Sequence, residues 1–416
     1  MVAHALISVA SQLIKDDQLN EAGAMLLQMH ERQEGVDAYW LECMGELARK
    51  LDSYGFRPQA QHCLSLAAPV AAKLGLSFPA PLTIAPYLAE SAFDVVQERH
   101  LKRYPAFESA NAYIYVIEIA GACNLRCPSC PVGNMPDEPR PKGLMELSIF
   151  ESILEKISIE RPGTPIIIHL FNWGEPLLHP DLGDFVDAIR RRGWQSIVST
   201  TLNISRGLDR LVEAAPDILK ISLSGWSQED YAQTHTRGDI DRVKDNMQRL
   251  RQLLDARPTE QQTSKPLFVL VGYHLYKHNL ADAPQVKEFA EQLNFHYTEN
   301  NAVIQPVERN IDLLAGRADK TTKDIADKLI LHPKELSAIN RQRRSGQFDC
   351  ELRFNMTAIN VDRSVALCCG TFSKSLQIHD DFLTAKAQDL ESAKYANSFC
   401  AECMQCGFAY TVNDVL

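Results

Sequence analysis

The residues best suited to chemistry in this sequence of 416 residues are its eleven cysteines, nine of which fall into two groups. Cys123, Cys127 and Cys130 form the first group, and six cysteines near the carboxyl terminus form the second. A cytoplasmic chain seldom keeps disulfides, so grouped cysteines in such a chain indicate metal or redox chemistry. Cys43 and Cys63 stand alone in a helical pattern, and we expect both to be small buried core residues.

The first group has the spacing C-x3-C-x2-C within a short loop, from Cys123 to Cys130. Structural zinc takes four ligands, whereas this loop offers three thiolates and no nearby histidine. A [4Fe-4S] cluster is normally held by four thiolates, so three would leave one iron open to a substrate or cofactor. The spacing therefore favours an iron–sulfur cluster with one open iron. A zinc knuckle or an accidental spacing is the alternative interpretation.

This segment resembles the cysteine motif of the radical S-adenosylmethionine (SAM) superfamily, which also follows the first strand of a barrel. The resemblance implies that the open iron chelates the amino and carboxylate groups of SAM. Reductive cleavage of SAM would then give methionine and a 5′-deoxyadenosyl radical that abstracts hydrogen from a substrate. The expected cofactors are the [4Fe-4S] cluster and SAM, and the expected electron donor is a protein such as flavodoxin or ferredoxin.

Further motifs resemble the SAM-binding elements of the same family. The segment Asn172-Trp173-Gly174-Glu175-Pro176 is similar to the family's Gly-Gly-Glu-Pro motif, with Trp173 in place of the first glycine. In the family this motif holds the methionine ammonium, and the Glu175 carboxylate is a suitable acceptor for that cation. Polar residues after the third and fourth strands resemble those that contact the ribose and the methionine carboxylate. The expected cofactor-binding residues are Asn172, Gly174, Glu175, Thr201, Asn203, Ser222, Ser224 and Arg237.

Arg237 suits a carboxylate because its guanidinium fork can bond both oxygens at once. A surface position without a ligand is the alternative for this residue.

Four histidines also lie near predicted strand ends or loops, and we assign no role to them. They are His179, His235, His274 and His278.

The second group resembles the SPASM and twitch extensions of radical SAM enzymes, which hold auxiliary [4Fe-4S] clusters. The family's Gly-x4-Cys pattern is altered here, since Arg363 stands at the glycine position. Six cysteines favour one auxiliary cluster, ligated by Cys350, Cys368 and two of the last three. We favour Cys403 and Cys406, because Gly-Phe-Ala-Tyr follows them as aromatic residues follow the family's final C-x2-C; Cys400 is a ligand in their place or a spare. A zinc ribbon is the alternative. The metal ligands predicted for the whole chain are Cys123, Cys127, Cys130, Cys350, Cys368, Cys400, Cys403 and Cys406.

Cys369 has two interpretations. It is either a buried neighbour of the metal or a catalytic thiol that returns a hydrogen atom to the substrate radical.

The elements that must position these residues alternate between strand and helix over residues 110–305. Buried β-rich runs separated by amphipathic helices indicate parallel βα units. Six such units predict an α/β fold, a partial (β/α)6 TIM-like barrel with its site at the carboxyl ends of the strands. The predicted strands are Tyr113–Ile119, Pro165–Phe171, Ser196–Thr200, Leu219–Ser224, Leu267–His274 and Tyr297–Ile304.

The rest of the chain divides into three further parts. Residues 1–95 show apolar residues at helical spacing and predict an all-helical, repeat-like domain, with a break or kink at Pro69. Residues 306–347 are polar and predict a helical linker or cap. Residues 348–416 contain six cysteines and short strand-like pieces such as Met356–Val361, which predict a small metal-stapled domain.

Composition narrows the possible partners. The net charge of -10 and the lack of a long basic stripe argue against nucleic acid. No apolar run approaches the ~20 residues that a membrane-spanning helix needs. Met1–Lys15 reads as a helix and not as a signal peptide, so the expected location is the cytoplasm.

The function expected from these features is hydrogen abstraction from a small polar substrate, such as one of carbohydrate type, with oxidation or epimerisation as the outcome. The alternative is a maturase that modifies or cross-links a peptide or protein. A third possibility, a non-catalytic iron–sulfur or zinc adaptor, makes no use of Glu175 or Arg237.

Overall fold

The computed structural model describes residues 2–16, 18–33, 35–53, 57–76, 112–264, 266–343 and 350–409. These residues form two compact units. Residues 2–76, 335–343 and 405–407 belong to the helical unit, and residues 112–334, 350–404 and 408–409 belong to the barrel unit. The final part of the predicted helical domain, residues 77–95, lies outside the described residues, and the predicted domain boundaries stay a prediction.

The helical unit begins with α1 Val2–Lys15, α2 Leu19–Arg32, α3 Ala38–Ser53 and α4 Arg57–Leu74. Their apolar faces meet in one core around Trp40, whose indole N–H donates to the carbonyl of Leu26 at 3.0 Å. Cys43 and Cys63 are buried in this core, which confirms the sequence-based expectation.

Helix α4 continues through Pro69, where the sequence predicted a break or kink. A proline inside a helix removes one backbone hydrogen bond at a cost of about 3 kcal/mol. Leu64, Ala67 and Ala71 flank the proline and are buried in the helical core. Their packing offsets the lost hydrogen bond and keeps the helix continuous.

The barrel unit is built on parallel strands that the sequence predicted to within a few residues at each end. Its first six strands are β1 Tyr113–Ile117, β2 Ile166–His169, β3 Gln195–Thr200, β4 Ile218–Leu223, β5 Phe268–Leu275 and β6 His296–Asn301. They pair in chain order, each parallel to the next. This confirms the α/β partial barrel.

The two faces of the strands are buried differently. One face, which includes Tyr115 and Ile221, packs against the surrounding helices in the main core. The opposite face encloses a smaller interior core at the amino ends of the strands, with Ile167, Ile218 and Phe268 among its members. Since side chains alternate along a strand, residues between the outward-facing ones point into the barrel.

Helices connect the strands on the outer face. They are α5 Pro131–Asn134, α6 Leu147–Glu160, α7 Leu182–Arg190, α8 Leu208–Ala214, α9 Gln228–Thr234, α10 Ile240–Ala256, α11 Thr259–Ser264, α12 Ala283–Gln292, α13 Val307–Leu314 and α14 Lys320–Ala326. The next helix, α15 Pro333–Arg343, belongs mostly to the helical unit. Side-chain caps fix some of their starts: Ser227 accepts from the Asp230 amide before α9, and Asp239 accepts from two amides before α10.

The carboxyl-terminal segment extends the barrel sheet. Strand β7, Met356–Ile359, pairs in parallel with β1, and β8 Val365–Ala366 and β9 Gln377–His379 follow as antiparallel neighbours. The sheet order is therefore β6-β5-β4-β3-β2-β1-β7-β8-β9. The remaining helices are α16 Glu351–Phe354, α17 Ala387–Ala396 and α18 Ser398–Gln405. Within the described ranges, no helix is long and apolar enough to cross a membrane.

Candidate functional site

The first cysteine group lies on a loop that follows β1 at the carboxyl edge of the sheet. Cys123, Cys127 and Cys130 are free thiols, each partly exposed. The loop tightens at its end, where the Cys130 amide donates to the Cys127 carbonyl at 3.0 Å, and α5 begins directly after Cys130. The sequence-predicted loop is thus where a barrel active site belongs.

Hydrogen bonds join this loop to two other segments of the barrel unit. The Arg126 amide donates to the Thr236 carbonyl at 3.0 Å, in the turn between α9 and α10. The Gln305 amide, after β6, donates to the Ser129 carbonyl at 2.8 Å. The side-chain amide of Asn134 donates a hydrogen bond to the Gln305 carbonyl at 2.8 Å. These contacts hold the cysteine loop over the open end of the barrel.

The three thiols interact electrostatically. Burial raises the pKa of Cys123 to about 11 and that of Cys130 to about 12. Burial also raises the pKa of Cys127 well above its usual value, and the neighbouring Cys130 and Cys123 raise it further. Three thiols that influence each other in this way are a suitable donor set for a cluster, which would displace their protons on binding. In the positions that the described side chains occupy, no three of the cysteine, histidine, aspartate and glutamate side chains form a group that could hold a metal ion.

The predicted SAM-binding segment after β2 contacts the cysteine loop through the backbone. The Glu175 amide donates to the Ala122 carbonyl at 2.8 Å. A Cβ at Gly174 would lie 1.7 Å from the Ala120 carbonyl oxygen, so only glycine fits there. The side-chain amide of Asn172 pairs with the Cys369 carbonyl at 3.2 Å and the Trp173 indole at 3.1 Å.

The Glu175 carboxylate is buried and accepts four hydrogen bonds. One oxygen accepts from the Thr200 hydroxyl at 2.6 Å and the Leu177 amide at 3.1 Å. The other accepts from the Thr201 amide and hydroxyl, both at 2.9 Å. Burial raises the pKa of Glu175, and these donors oppose that shift. The structure therefore brings Glu175 and Thr201 into direct contact.

The other predicted SAM-binding residues lie at separate places along the same edge. Asn203 donates to the Tyr231 hydroxyl and accepts from the Asp239 amide at 2.7 Å. Ser222 is partly exposed on the inward face of β4. The Ser224 hydroxyl bonds Thr234 and, at 2.6 Å, the Nδ1 atom of His235. Both Asn203 and Ser224 are thus engaged by the protein.

Arg237 lies in the turn that contacts the cysteine loop. Its side chain is exposed and its backbone is left-handed, with a φ of 73°. Burial lowers the pKa of the neighbouring His235 to about 3, so that imidazole is neutral at pH 7.

A polar cavity of about 400 Å³ opens beside the cysteine loop. Arg140 and Glu118 line it and form an ion pair at 2.7 Å. The same Glu118 oxygen accepts from the Trp173 and Gly174 amides at 3.2 and 2.8 Å. The charges of Arg140 and Glu118 also act on the pKa of Cys130, which Arg140 lowers and Glu118 raises. Sequence reasoning missed both residues; a glutamate that directly follows an apolar strand was the available signal.

Four of the later cysteines line a second, apolar pocket. Cys350, Cys368, Cys400 and Cys403 all contribute to it, together with side chains such as Leu367 and Phe399. Cys400 and Cys403 lie three residues apart on α18, so they share one face of that helix. Burial raises the pKa of Cys368, and the thiols of Cys369, Cys403 and Cys350 raise it further. These four thiols fit the donor set of a [4Fe-4S] cluster.

Cys406 and Cys369 do not line this pocket. Cys406 follows the end of α18 and belongs to the helical unit, where the Ser337 hydroxyl donates to its carbonyl at 2.7 Å. Cys369 is buried and lines neither of the two cavities described above. Burial raises its pKa to about 12.

Comparison with known proteins identifies the barrel. Residues 117–259 match the family model of the radical SAM superfamily. These residues form a radical SAM domain. The matched residues run from the end of β1 through α10 and include the first cysteine group and every predicted SAM-binding residue.

Curated relatives match only part of this chain. A GTP 3',8-cyclase from Chlorobaculum tepidum is 28% identical over 137 residues, which are 32% of this chain and 39% of the relative. A tungsten-containing aldehyde ferredoxin oxidoreductase cofactor-modifying protein from Pyrococcus furiosus is 33% identical over 113 residues, 27% of this chain and 30% of the relative. The chain thus spans less than half the length of these relatives.

Solved structures resemble it more broadly but weakly. "Native anSMEcpe with bound AdoMet" is 13% identical, covers 68% of this chain and 81% of its own, and has a TM-score of 0.44. Streptococcus suis SuiB bound to the precursor peptide SuiA is 12% identical, covers 83% of both chains, and has a TM-score of 0.48. Similarity at this level carries no argument about substrate.

Proposed function

We propose that this protein is a radical SAM oxidoreductase or epimerase that acts on a small polar substrate, such as a carbohydrate. When bound, the cluster and SAM supply a 5′-deoxyadenosyl radical that takes a hydrogen atom from the substrate. The chain's own residues bind and orient the two reactants and exclude water from them. The substrate carbon is then oxidised or has its configuration inverted.

The observation that carries this proposal is the polar cavity beside the cysteine loop. Its volume of about 400 Å³ suits a small metabolite. Arg140, Asp362, Lys374 and Asp380 line it, so it presents hydrogen-bonding groups of both charges. A polyhydroxylated substrate needs such groups because each buried hydroxyl must find a partner.

Cys123, Cys127 and Cys130 would hold the cluster at the first site. Gly174 lets the segment before Glu175 approach the cysteine loop, and Glu175 fixes that segment to the end of β3. Exposed Arg237 stands in the turn bonded to the loop, where its guanidinium remains available for the carboxylate of SAM.

The same proposal assigns one auxiliary [4Fe-4S] cluster to Cys350, Cys368, Cys400 and Cys403. This set differs from our preferred sequence-based pair, because Cys400 replaces Cys406. The reason is the shared face of α18, which turns Cys400 and Cys403 toward one pocket with Cys350 and Cys368. The cluster would supply a second redox centre.

The function is tested by anaerobic assay of the reconstituted enzyme with SAM and dithionite. We expect 5′-deoxyadenosine from the wild type and none from the Cys123/Cys127/Cys130→Ala triple variant. Two panels of perdeuterated candidate substrates are then added to the assay, one of monosaccharides and aminocyclitols and one of peptides. Transfer of deuterium from the first panel to 5′-deoxyadenosine supports a carbohydrate substrate. Transfer from the peptides alone would instead support the peptide maturase.

Iron counting tests the auxiliary site. Two [4Fe-4S] clusters predict about eight irons per chain in the wild type, and about four in Cys400→Ser. The matched control is Cys406→Ser, which should keep about eight. Loss of iron from Cys406→Ser, with full iron in Cys400→Ser, contradicts the assignment.

A further inference from the structure

A lysine side chain lies inside the barrel among residues that sequence reasoning passed over. Lys220 stands in the middle of β4, between Leu219 and Ile221, which pack outward against the helices. Because side chains alternate along a strand, Lys220 points into the barrel. It is partly accessible although protein surrounds it, as expected for a group that faces an internal space.

The Lys220 side chain extends toward the carboxyl ends of the strands, at the edge of the sheet where the cysteine loop lies. Lys220 is paired with Leu270 on the neighbouring β5. Its Cε, however, lies beside Gly272, two residues further along β5, and a Cβ there would be 3.3 Å from it. The absence of a side chain at Gly272 therefore leaves room for the lysine to extend upward.

The ammonium of Lys220 has no counter-charge in the described part of the chain. No hydrogen bond or ion pair joins it to another described residue. Burial lowers the pKa of Lys220, and no acidic group acts against this shift. An isolated buried charge is costly, so such a group is normally paired, neutralised or used to bind a ligand.

Other polar groups around the lysine also lack partners. His169 on β2 and His274 on β5 both experience the charge of Lys220, which with burial lowers their pKa values to about 3 and about 4. Both imidazoles are thus neutral at pH 7. The Nδ1 atom of His169 and the hydroxyl of Thr298 are buried without a hydrogen-bond partner. Thr298 is the register partner of Gly272 on the neighbouring strand β6.

We propose that this interior site, formed by Lys220, His169, His274 and Thr298, binds an anionic oxygen group of the substrate, a carboxylate or a phosphate. One cation and several neutral donors without a competing carboxylate are the complement of such a group. The inference rests on the proposed function in that the ligand is taken to be the substrate of the same barrel. The substrate class is thereby narrowed to small polar molecules that carry a negatively charged group.

The site differs from the one expected for the methionine carboxylate of SAM. Ser224 and Arg237 follow the end of β4, whereas Lys220 lies within that strand, three residues before its last residue. A substrate anchored at this depth would extend upward to the edge where the cysteine loop lies.

The test measures thermal unfolding of the reconstituted holoenzyme in an anion-poor buffer, with added inorganic phosphate in one arm and acetate in the other. A ligand that binds only the folded state raises the unfolding temperature. We expect a saturable rise in the wild type with at least one of the two anions, and the responding arm identifies the anion. In Lys220→Met the half-saturating concentration should increase roughly tenfold or more, because a charge-assisted contact is lost. Thr298→Val should weaken the response several-fold.

Lys323→Met is the matched control, since Lys323 is an exposed lysine on α14 of the same unit. It should respond as the wild type does. Without added anion, Lys220→Met should unfold at the same or a higher temperature than the wild type, because the substitution removes a buried uncompensated charge.

Three results would overturn the proposal. The first is a response of Lys220→Met to anions that equals the response of the wild type. The second is a lower unfolding temperature of that variant in the absence of anion. The third is displacement of radiolabelled SAM by phosphate or acetate. The last would assign the lysine to SAM. Anion binding without any 5′-deoxyadenosine would refute the proposed function and leave the anion site intact. The reverse pattern would refute the anion site alone.

Discussion

At the scale of single residues, Glu175 illustrates how the fold itself can hold a side chain that the sequence predicts to bind a ligand. A carboxylate has about four acceptor positions, and four protein donors approach Glu175 from Leu177, Thr200 and Thr201. The resemblance to the family predicts that this residue receives the methionine ammonium. In this structure its immediate effect is to fix the segment after β2 to the end of β3.

Glu175→Gln should therefore destabilise the protein even before SAM is added. The amide nitrogen of the glutamine would replace one carboxylate oxygen, and it cannot accept hydrogen bonds from the donors that surround that position. Each buried polar group left without a partner costs about 1–3 kcal/mol of folding free energy. The unfolding temperature of the holoenzyme should fall, as measured by circular dichroism. Glu146→Gln is the control because Glu146 is exposed and makes no capping bond. An unchanged unfolding temperature together with lost SAM binding would show that Glu175 acts only on the ligand.

At the scale of elements, the site depends on two loops whose backbones touch. The segment after β2 lies directly on the cysteine loop, with Gly174 against the Ala120 carbonyl and the Glu175 amide bonded to Ala122. A methyl group at Gly174 would have to displace backbone, because the atom it meets is a carbonyl oxygen and not a flexible side chain.

Gly174→Ala is expected to separate the loops and to impair cluster assembly at the first site. Overpacking of this kind costs typically about 1–3 kcal/mol and shifts the backbone. Iron should fall from about eight per chain to about four, since the auxiliary site is unaffected. Gly163→Ala, in a turn with φ of +71° and open space where the new methyl group would lie, should keep its iron despite some backbone strain. Full iron in Gly174→Ala would contradict the dependence of the cluster on this contact.

The elements also show how far the sequence could predict the site. Strands β1 to β5 followed from buried apolar runs, because each run is local and its ends are marked by turns. The parallel pairing of β7 with β1 is a contact between residues 244 positions apart, where the Tyr113 hydroxyl meets the Thr357 hydroxyl at 2.9 Å. No local pattern encodes such a pairing. Lys220 was detectable as the one charged residue in the strand Ile218–Leu223, but its lack of a partner required the structure.

At the scale of the whole molecule, the chain contains two units with separate hydrophobic cores. The core of the helical unit is built around Trp40, Leu26 and Met44, whereas the barrel core includes Phe150, Phe185 and Tyr231. The cysteines proposed to hold clusters, on the loop after β1 and in the pocket beside α18, belong to the barrel unit. The core of the helical unit is therefore separate from the proposed cluster ligands, and this division predicts that the helical core can be weakened without loss of iron.

Leu26→Ala tests this division. Leu26 is fully buried, so removing three carbons should cost the helical unit about 2–5 kcal/mol and lower the temperature of its unfolding transition in calorimetry. Leu74→Ala, at an exposed position on α4 of the same unit, should change that transition little. The iron content and visible absorbance of both variants should match the wild type, because neither residue contributes to the barrel core. Loss of iron from Leu26→Ala alone would mean that cluster binding depends on the helical core, and that the two cores are energetically coupled.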